Sequence, residues 1–169
     1  MLRRWELADA AAFAELLERS RDHYARFIAF FLEGEPRERM QTNVAGWNAG
    51  VSWSYGAFEG ERLVGGGGLF PRVGPGALEI GYHVAVDETR RGLATEIAAA
   101  FVHAGFEVCG AERLEMHIHP RNLASIGVAR KLGFVESGYD GDEMIFSRVR
   151  SASESRVTSA WASDSSSGG

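Results

Sequence analysis

Two stretches of the 169-residue chain carry residue types at spacings that can do chemistry. In Leu78–Glu96, strict alternation puts Leu78, Ile80, Tyr82, Val84 and Val86 on one face of a strand and Glu79, Gly81, His83, Ala85 and Asp87 on the other. A carboxylate and an imidazole on one strand face can pass protons to and from a bound group. The strand then runs into Arg90-Arg91-Gly92-Leu93-Ala94-Thr95, a glycine turn at a helix start. Unpaired amides at a helix N-terminus, with glycine allowing close approach, can hold a pyrophosphate, and Arg90 and Arg91 add positive charge beside them. Bare spacing fits an ordinary strand-turn-helix corner with solvated arginines equally well. In the second stretch, Asn122-Leu123-Ala124-Ser125 opens another helix. Both Asn122 and Ser125 accept bonds from first-turn amides, so a plain helix cap is one reading of this pair.

Two other constellations carry less. His117 and His119 share a strand face with Glu115, and together with His83 they offer donors for a divalent ion. Alternation alone generates such a His-x-His pattern, and no metal is expected. Cys109 is the single cysteine, which excludes an internal disulfide; its apolar neighbours Phe106, Val108 and Ala111 make it a packed residue rather than a nucleophile.

These residues need a scaffold, and the periodicities supply one. Leu2–Trp5 reads as a first strand, and Asp9 as the N-cap of a helix with Ala12, Phe13, Leu16 and Leu17 at helical spacing. A second helical segment, Arg19–Leu32, is dense in aromatics. Gly34 and Pro36 break it, and a third helix follows with Met40, Val44 and Trp47 on one face. Val51–Phe58 and Arg62–Phe70 form an antiparallel hairpin, in which the run Gly65–Gly68 marks a bulge or a closely packed helix. After the glycine turn, Ile97, Phe101, Ala104 and Val108 repeat as an amphipathic helix ending at Gly110. The strand Arg113–His119 follows it and, through a short helical crossover, lies parallel to the strand from Leu78. A helix Ser125–Leu132 and a closing hairpin, Val135–Tyr139 and Glu143–Val149 around Asp140-Gly141-Asp142, complete a domain over residues 1–150. Residues 151–169 are rich in serine and glycine and read as a disordered tail, with Trp161 its one large apolar group.

Composition sets outer bounds. A net charge of −5 argues against nucleic acid as a partner, and no apolar run approaches the roughly 20 residues of a membrane span. The N-terminus lacks the apolar segment of a secretion signal, so a cytoplasmic location follows by default. Oligomeric state stays open, a homodimer included.

Four motifs in order, E-I-G-Y-H-V, R-R-G-L-A-T-E, H-P-R-N-L-A-S and K-L-G-F, resemble the GNAT superfamily of acyl-CoA-dependent N-acyltransferases, and within it the RimJ/RimL-type branch. The resemblance spans most of residues 1–150. It implies an α/β (α+β) fold: a mixed, mostly antiparallel central sheet of about six to seven strands flanked by helices, in which the fourth and fifth strands are parallel and splay apart. It implies acetyl-CoA as co-substrate, its pantetheine along the backbone of Val84, Ala85 and Val86 and its diphosphate on Arg91, Gly92, Leu93, Ala94 and Thr95. Asn122 would contact the pantetheine or fix its loop. Ser125 would protonate the leaving thiolate, with Tyr139 in reserve, and Glu79 would take the proton of the attacking amine. His83, Tyr24 and Trp53 would border the acceptor, a small-molecule or peptide amine. One position departs from the family pattern: Thr89 stands where its phosphate turn usually has Arg or Gln. That departure motivates a second class of function, a degenerate domain that binds acyl-CoA as a sensor without turnover.

Overall fold

The computed structural model describes residues 1–152 and 154. Seven strands, β1 (Leu2–Arg4), β2 (Trp53–Glu59), β3 (Arg62–Phe70), β4 (Ala77–Val84), β5 (Arg113–Ile118), β6 (Val135–Asp140) and β7 (Glu143–Val149), form one sheet in the order β1-β2-β3-β4-β5-β7-β6. Only β4 and β5 run parallel. Their register holds from Ala77 opposite Arg113 to Glu79 opposite Glu115 and stops, although β4 continues to Val84 and β5 to Ile118. The splayed pair that the resemblance implies is therefore present.

Four helices, α1 (Ala10–Ala25), α2 (Pro36–Ala49), α3 (Leu93–His103) and α4 (Leu123–Lys131), cover the sheet. Ile80, Val84, Ile97, Phe101, Leu114 and Phe146 belong to the larger core, on the α3 and α4 side. Trp5, Phe13, Leu16, Tyr24, Met40 and Phe58 form a second core on the α1 and α2 side. Each fully buried large apolar side chain contributes roughly 1.5–3 kcal/mol, so the alternation of β4 is stabilised from both faces.

The glycine run in β3 has a packing cause on each face. A Cβ on Gly67 would stand 2.5 Å from the Gly81 carbonyl of β4 and 2.7 Å from the Phe101 ring of α3. On the opposite face, one on Gly66 would meet the His83 ring at 2.9 Å. The run thus lets α3 approach the sheet and leaves room for His83.

The observed elements differ from the expected ones in places that bear on the site. Helix α1 is continuous to Ala25, because nothing between Ala10 and Ala25 interrupts it. The aromatic segment beyond is a bend and a 3₁₀ turn, Ala29–Leu32, with the Phe27 and Ile28 amides both bonded to the Tyr24 carbonyl. Strand β4 ends at Val84, not Val86: Val86 is exposed and opens a tight turn closed by the Glu88 amide on the Ala85 carbonyl at 2.9 Å. Asp9 stands at the start of α1, but its carboxylate takes the Glu6 amide at 2.8 Å and Arg3 at 2.6 Å instead of a first-turn amide of that helix. Cys109 is exposed, which corrects the expectation of a packed residue: α3 passes into a π turn, Ala104–Val108, that leaves the thiol outside. Of the expected tail, Glu154 pairs with Arg148 at 2.7 Å, while residues 155–169, Trp161 among them, lie outside the described residues.

Gly67→Ala is expected to destabilise the fold by about 1–3 kcal/mol, because a backbone carbonyl cannot move aside as a flexible side chain would. Denaturant unfolding measures this, and an unchanged midpoint would show that the β3–β4 contact is looser than described.

Candidate active site

A cavity of about 850 Å³ follows the gap between β4 and β5 and is lined by residues from both faces of the sheet. It is within the size range of small-molecule sites. Tyr82 and Val84 line it from β4, and Met116, His117 and Ile118 from β5. The Ala85 amide bonds to the Val64 carbonyl of β3 at 2.9 Å, so alternation along β4 turns the amides and carbonyls of Ile80, Tyr82 and Val84 toward the gap. Polar backbone lining a cavity calls for a hydrogen-bonding ligand laid along it.

At one end the gap reaches the N-terminus of α3. Gly92 stands at its N-cap with φ 85°, no side chain caps the helix, and Gly92, Leu93, Ala94 and Thr95 all line the cavity. The Thr95 and Glu96 amides bond back to the Gly92 carbonyl at 3.0 and 3.1 Å, leaving the Leu93 and Ala94 amides without an acceptor among the described residues. Arg90 also lines the cavity and makes no ion pair among the described residues, at a φ of 67° that is costly for a side-chain-bearing residue. Beneath the turn the Glu88 carboxylate is 2% exposed and held by Arg62 and Arg91. The backbone nest and free guanidinium fit an anionic group such as a diphosphate.

Midway lies Ser125 on the first turn of α4. Asn122 caps this helix, its side-chain oxygen accepting the Ser125 amide at 3.2 Å, and this leaves the Ser125 hydroxyl free on the cavity wall. The Tyr82 hydroxyl stands beside it. Burial raises the Tyr82 phenol above its ordinary pKa, with Ser125 partly offsetting the rise, yet no well-aligned hydrogen bond joins them and the phenol oxygen is buried without a partner.

The far end opens under α1 and α2. Glu79, 8% exposed, is gripped by Arg72 through two bonds of 2.5 and 2.6 Å. Its register neighbour Glu115 takes Arg113 at 2.8 Å and His117 Nε2 at 3.0 Å. His119 Nδ1 accepts the Arg121 amide at 3.1 Å, which places its proton on Nε2 in the neutral ring. His83 is buried, with Nδ1 3.1 Å from the Tyr24 hydroxyl and its ring 4.4 Å from that of Phe31. Burial, reinforced by the charge of Arg39, pushes His83 down to about 3, and burial pushes Tyr24 above the ordinary phenol range. Both are uncharged at neutral pH, and the same burial makes His83 a weak proton acceptor in the wall of the lobe.

The cavity brings together Glu79, His83, Tyr24, Val84, Gly92, Leu93, Ala94, Thr95, Asn122 and Ser125 of the residues expected from sequence. It leaves out four. Ala85 and Val86 are tied into their turn, with the Val86 amide on Ser20 Oγ at 3.1 Å. The Arg91 guanidinium turns to Glu59 and Glu88, leaving the cavity to Arg90. Trp53 lies opposite Leu69, on the face packed by α3. Thr89 lines the cavity while its hydroxyl donates to the Val86 carbonyl at 2.9 Å. Tyr82, Arg72, Arg39 and Arg90 are the functional candidates that sequence reasoning missed or underweighted. Only the helix-start position of Arg90 offered a local signal.

A splayed parallel pair leading to an uncapped helix N-terminus is a site for a ligand with a long polar arm and an anionic end. Residues 1–135 match the family model for the acetyltransferase (GNAT) domain, and the chain belongs to that family of acetyltransferases. It is 28% identical over 144 residues to the probable N-acetyltransferase YjcK of Bacillus subtilis (strain 168), covering 79% of this chain and 78% of that one. Among solved structures, the ribosomal-protein-S5-alanine acetyltransferase of Vibrio fischeri superposes with a TM-score of 0.77 at 18% identity, over 89% of this chain and 93% of that one. Mycobacterium smegmatis RimJ, in complex with CoA-disulfide, superposes at 0.75 with 20% identity, over 95% and 88%. These neighbours are of the RimJ/RimL type in fold.

The folded-state pKa of His83 lies below its ordinary 6.5, so the unfolded chain binds the extra proton as pH falls from about 6.5 to about 3, and stability declines through that window. The slope from this residue reaches at most about 1.4 kcal/mol per pH unit. In urea titrations from pH 7 to 4.5, His83→Gln is expected to flatten the decline by part of that amount. Equal slopes in both proteins would mean that His83 is solvated.

Proposed function

We propose that this acetyltransferase moves the acetyl group of acetyl-CoA to a primary amine, a protein N-terminus or a small-molecule amine, by direct attack without an acyl-enzyme. The observation that carries this reading is the gap between β4 and β5, which joins an anion nest at α3 to a lobe under α1 and α2. Acetyl-CoA, when bound, supplies an acyl group already activated as a thioester. The exposed backbone of Ile80, Tyr82 and Val84 would hold its pantetheine, and the Leu93 and Ala94 amides with Arg90 its diphosphate.

The chain's own groups divide the proton transfers. Ser125, whose hydroxyl is not used in the helix cap, donates to the departing sulfur beside the Tyr82 phenol and is reprotonated from solvent, to which Glu79 later releases the amine proton. Glu79 receives the proton of the amine, directly or through water, and a proton arriving there displaces one of its two bonds from Arg72. Burial of these groups keeps bulk water from competing for the acyl group. The structural neighbours named for ribosomal-protein acetylation support a protein N-terminus as one acceptor. A cytoplasmic setting belongs to the same reading, as acetyl-CoA is supplied there.

Release of free thiol from acetyl-CoA in the presence of amines tests the proposal. Tight CoA retention with no release from any amine would favour the sensor reading. Ser125→Ala is expected to lower kcat about 100-fold while CoA affinity stays nearly constant. Gly92→Asp is expected to weaken CoA binding at least about tenfold, through a carboxylate placed against phosphate. Matching losses of affinity in both variants would overturn this division of roles.

A further inference from the structure

The two arginines that line the lobe under α1 and α2 have unlike surroundings. Arg72 is neutralised by Glu79, and Glu143 adds to the negative field around it. Arg39, on α2, donates to the Glu33 carbonyl at 3.0 Å and lies over the Phe31 ring, 4.9 Å from its centroid. Among the described residues it forms no ion pair. Partial burial holds its guanidinium below the ordinary range, and the more distant Glu33 charge offsets only part of that. A guanidinium drawn away from water without a carboxylate gains most from an anion that arrives with a ligand.

The rest of the lobe agrees in sign and in shape. Of the carboxylates that line the cavity, Glu79 is held by Arg72 and Glu88, at the α3 end, by Arg62 and Arg91, which leaves Glu143 as the one without a direct ion pair among the described residues. His23 is held below its ordinary pKa by burial and by Arg26, and His83 lower still, so neither adds charge at neutral pH. Phe27, Ile28, Phe30 and Phe31 give the wall an apolar surface beside Arg39. A polycation would meet an unpaired guanidinium here, whereas a carboxylate would meet a partner.

We infer that the acceptor is an amine that also carries a carboxylate and an apolar body, the carboxylate docking on Arg39 and the body on the phenylalanine wall. This rests on the acetyl-transfer reading and adds the acceptor's chemistry to it. The carboxylate has two sources, the α-carboxylate of a free amino acid or an acidic side chain near a peptide N-terminus.

Two matched pairs of acceptors separate these sources: phenylalanine against phenylalaninamide, and the peptide amides Ser-Glu-Phe-Ala and Ser-Gln-Phe-Ala. With acetyl-CoA, kcat/KM is expected to favour the carboxylate member of one pair by about 10- to 100-fold, chiefly through KM. The pair that shows the preference identifies the source. In Arg39→Gln the ratio should fall to near one, and in Arg39→Lys it should recover in part, with CoA affinity reporting that both variants are folded. Calorimetry on the CoA-loaded protein, with N-acetylphenylalanine against its amide and the two N-acetylated peptides against each other, gives the same comparison without turnover. A preference there that is lost in Arg39→Gln, with no thiol release from any amine, would uphold the anion site and refute acetyl transfer. Turnover or binding with ratios near one in both pairs would overturn the Arg39 assignment and leave acetyl transfer standing.

Discussion

The structure depends on a hydrogen-bonded pairing that ends early. Strands β4 and β5 hold together from Ala77 and Arg113 to Glu79 and Glu115, and then each follows its outer neighbour, β4 with β3 and β5 with β7. The backbone groups left open along β4 would be costly in a sealed core and are tolerated because they line a cavity. Each outer pairing holds its strand firmly enough for the inner edge to stay open. The glycine run of β3 contributes by letting β3, β4 and α3 approach more closely than any Cβ would permit.

Charge is arranged along the gap so that its ends differ. At the α3 end, Glu88 is neutralised by two arginines, while uncapped amides and Arg90 remain to meet an anion. Near the middle are neutral hydroxyls, Ser125 and Tyr82. On the α1 and α2 side, Glu79 and Glu115 end the paired segment of the two strands, and each is held by arginine. Two carboxylates at adjacent register positions would repel; the guanidinium partners offset that repulsion and hold both side chains in place. The His83 and Tyr24 pair then closes the lobe with a hydrogen bond between uncharged groups, which costs less to bury than an ion pair.

The elements were legible in the sequence where local physics acts alone. Alternation marked β4 and β5, the hairpin turns marked β2 with β3 and β6 with β7, Pro36 stood at the start of α2, and Gly92 marked the start of α3. The gap and its parallel pair followed from the strand-helix-strand order together with the motifs that resemble the family. Legibility failed where one residue has two possible neighbours. Adjacent arginines in a turn look alike in sequence, yet Arg91 is captured by Glu59 and Glu88 and Arg90 is not. Trp53 shares its strand with Ser54, which lines the cavity, but points to the other side, a matter of pleat register.

What the sequence determined by itself is the order of elements, the side of β4 that carries Glu79 and His83, and the glycine turn at the start of α3, since periodicity, glycine and helix ends act within a few residues. Tertiary structure alone decided which charges cancel and which stay free. Arg72 closes on Glu79 from a loop, Arg39 comes to the cavity from a helix with only Phe31 and a carbonyl beside it, and Tyr82 is left without a hydrogen-bond partner beside Ser125. The physical reason is range: a side chain's partner is set by packing across tens of residues of chain, which no local pattern encodes.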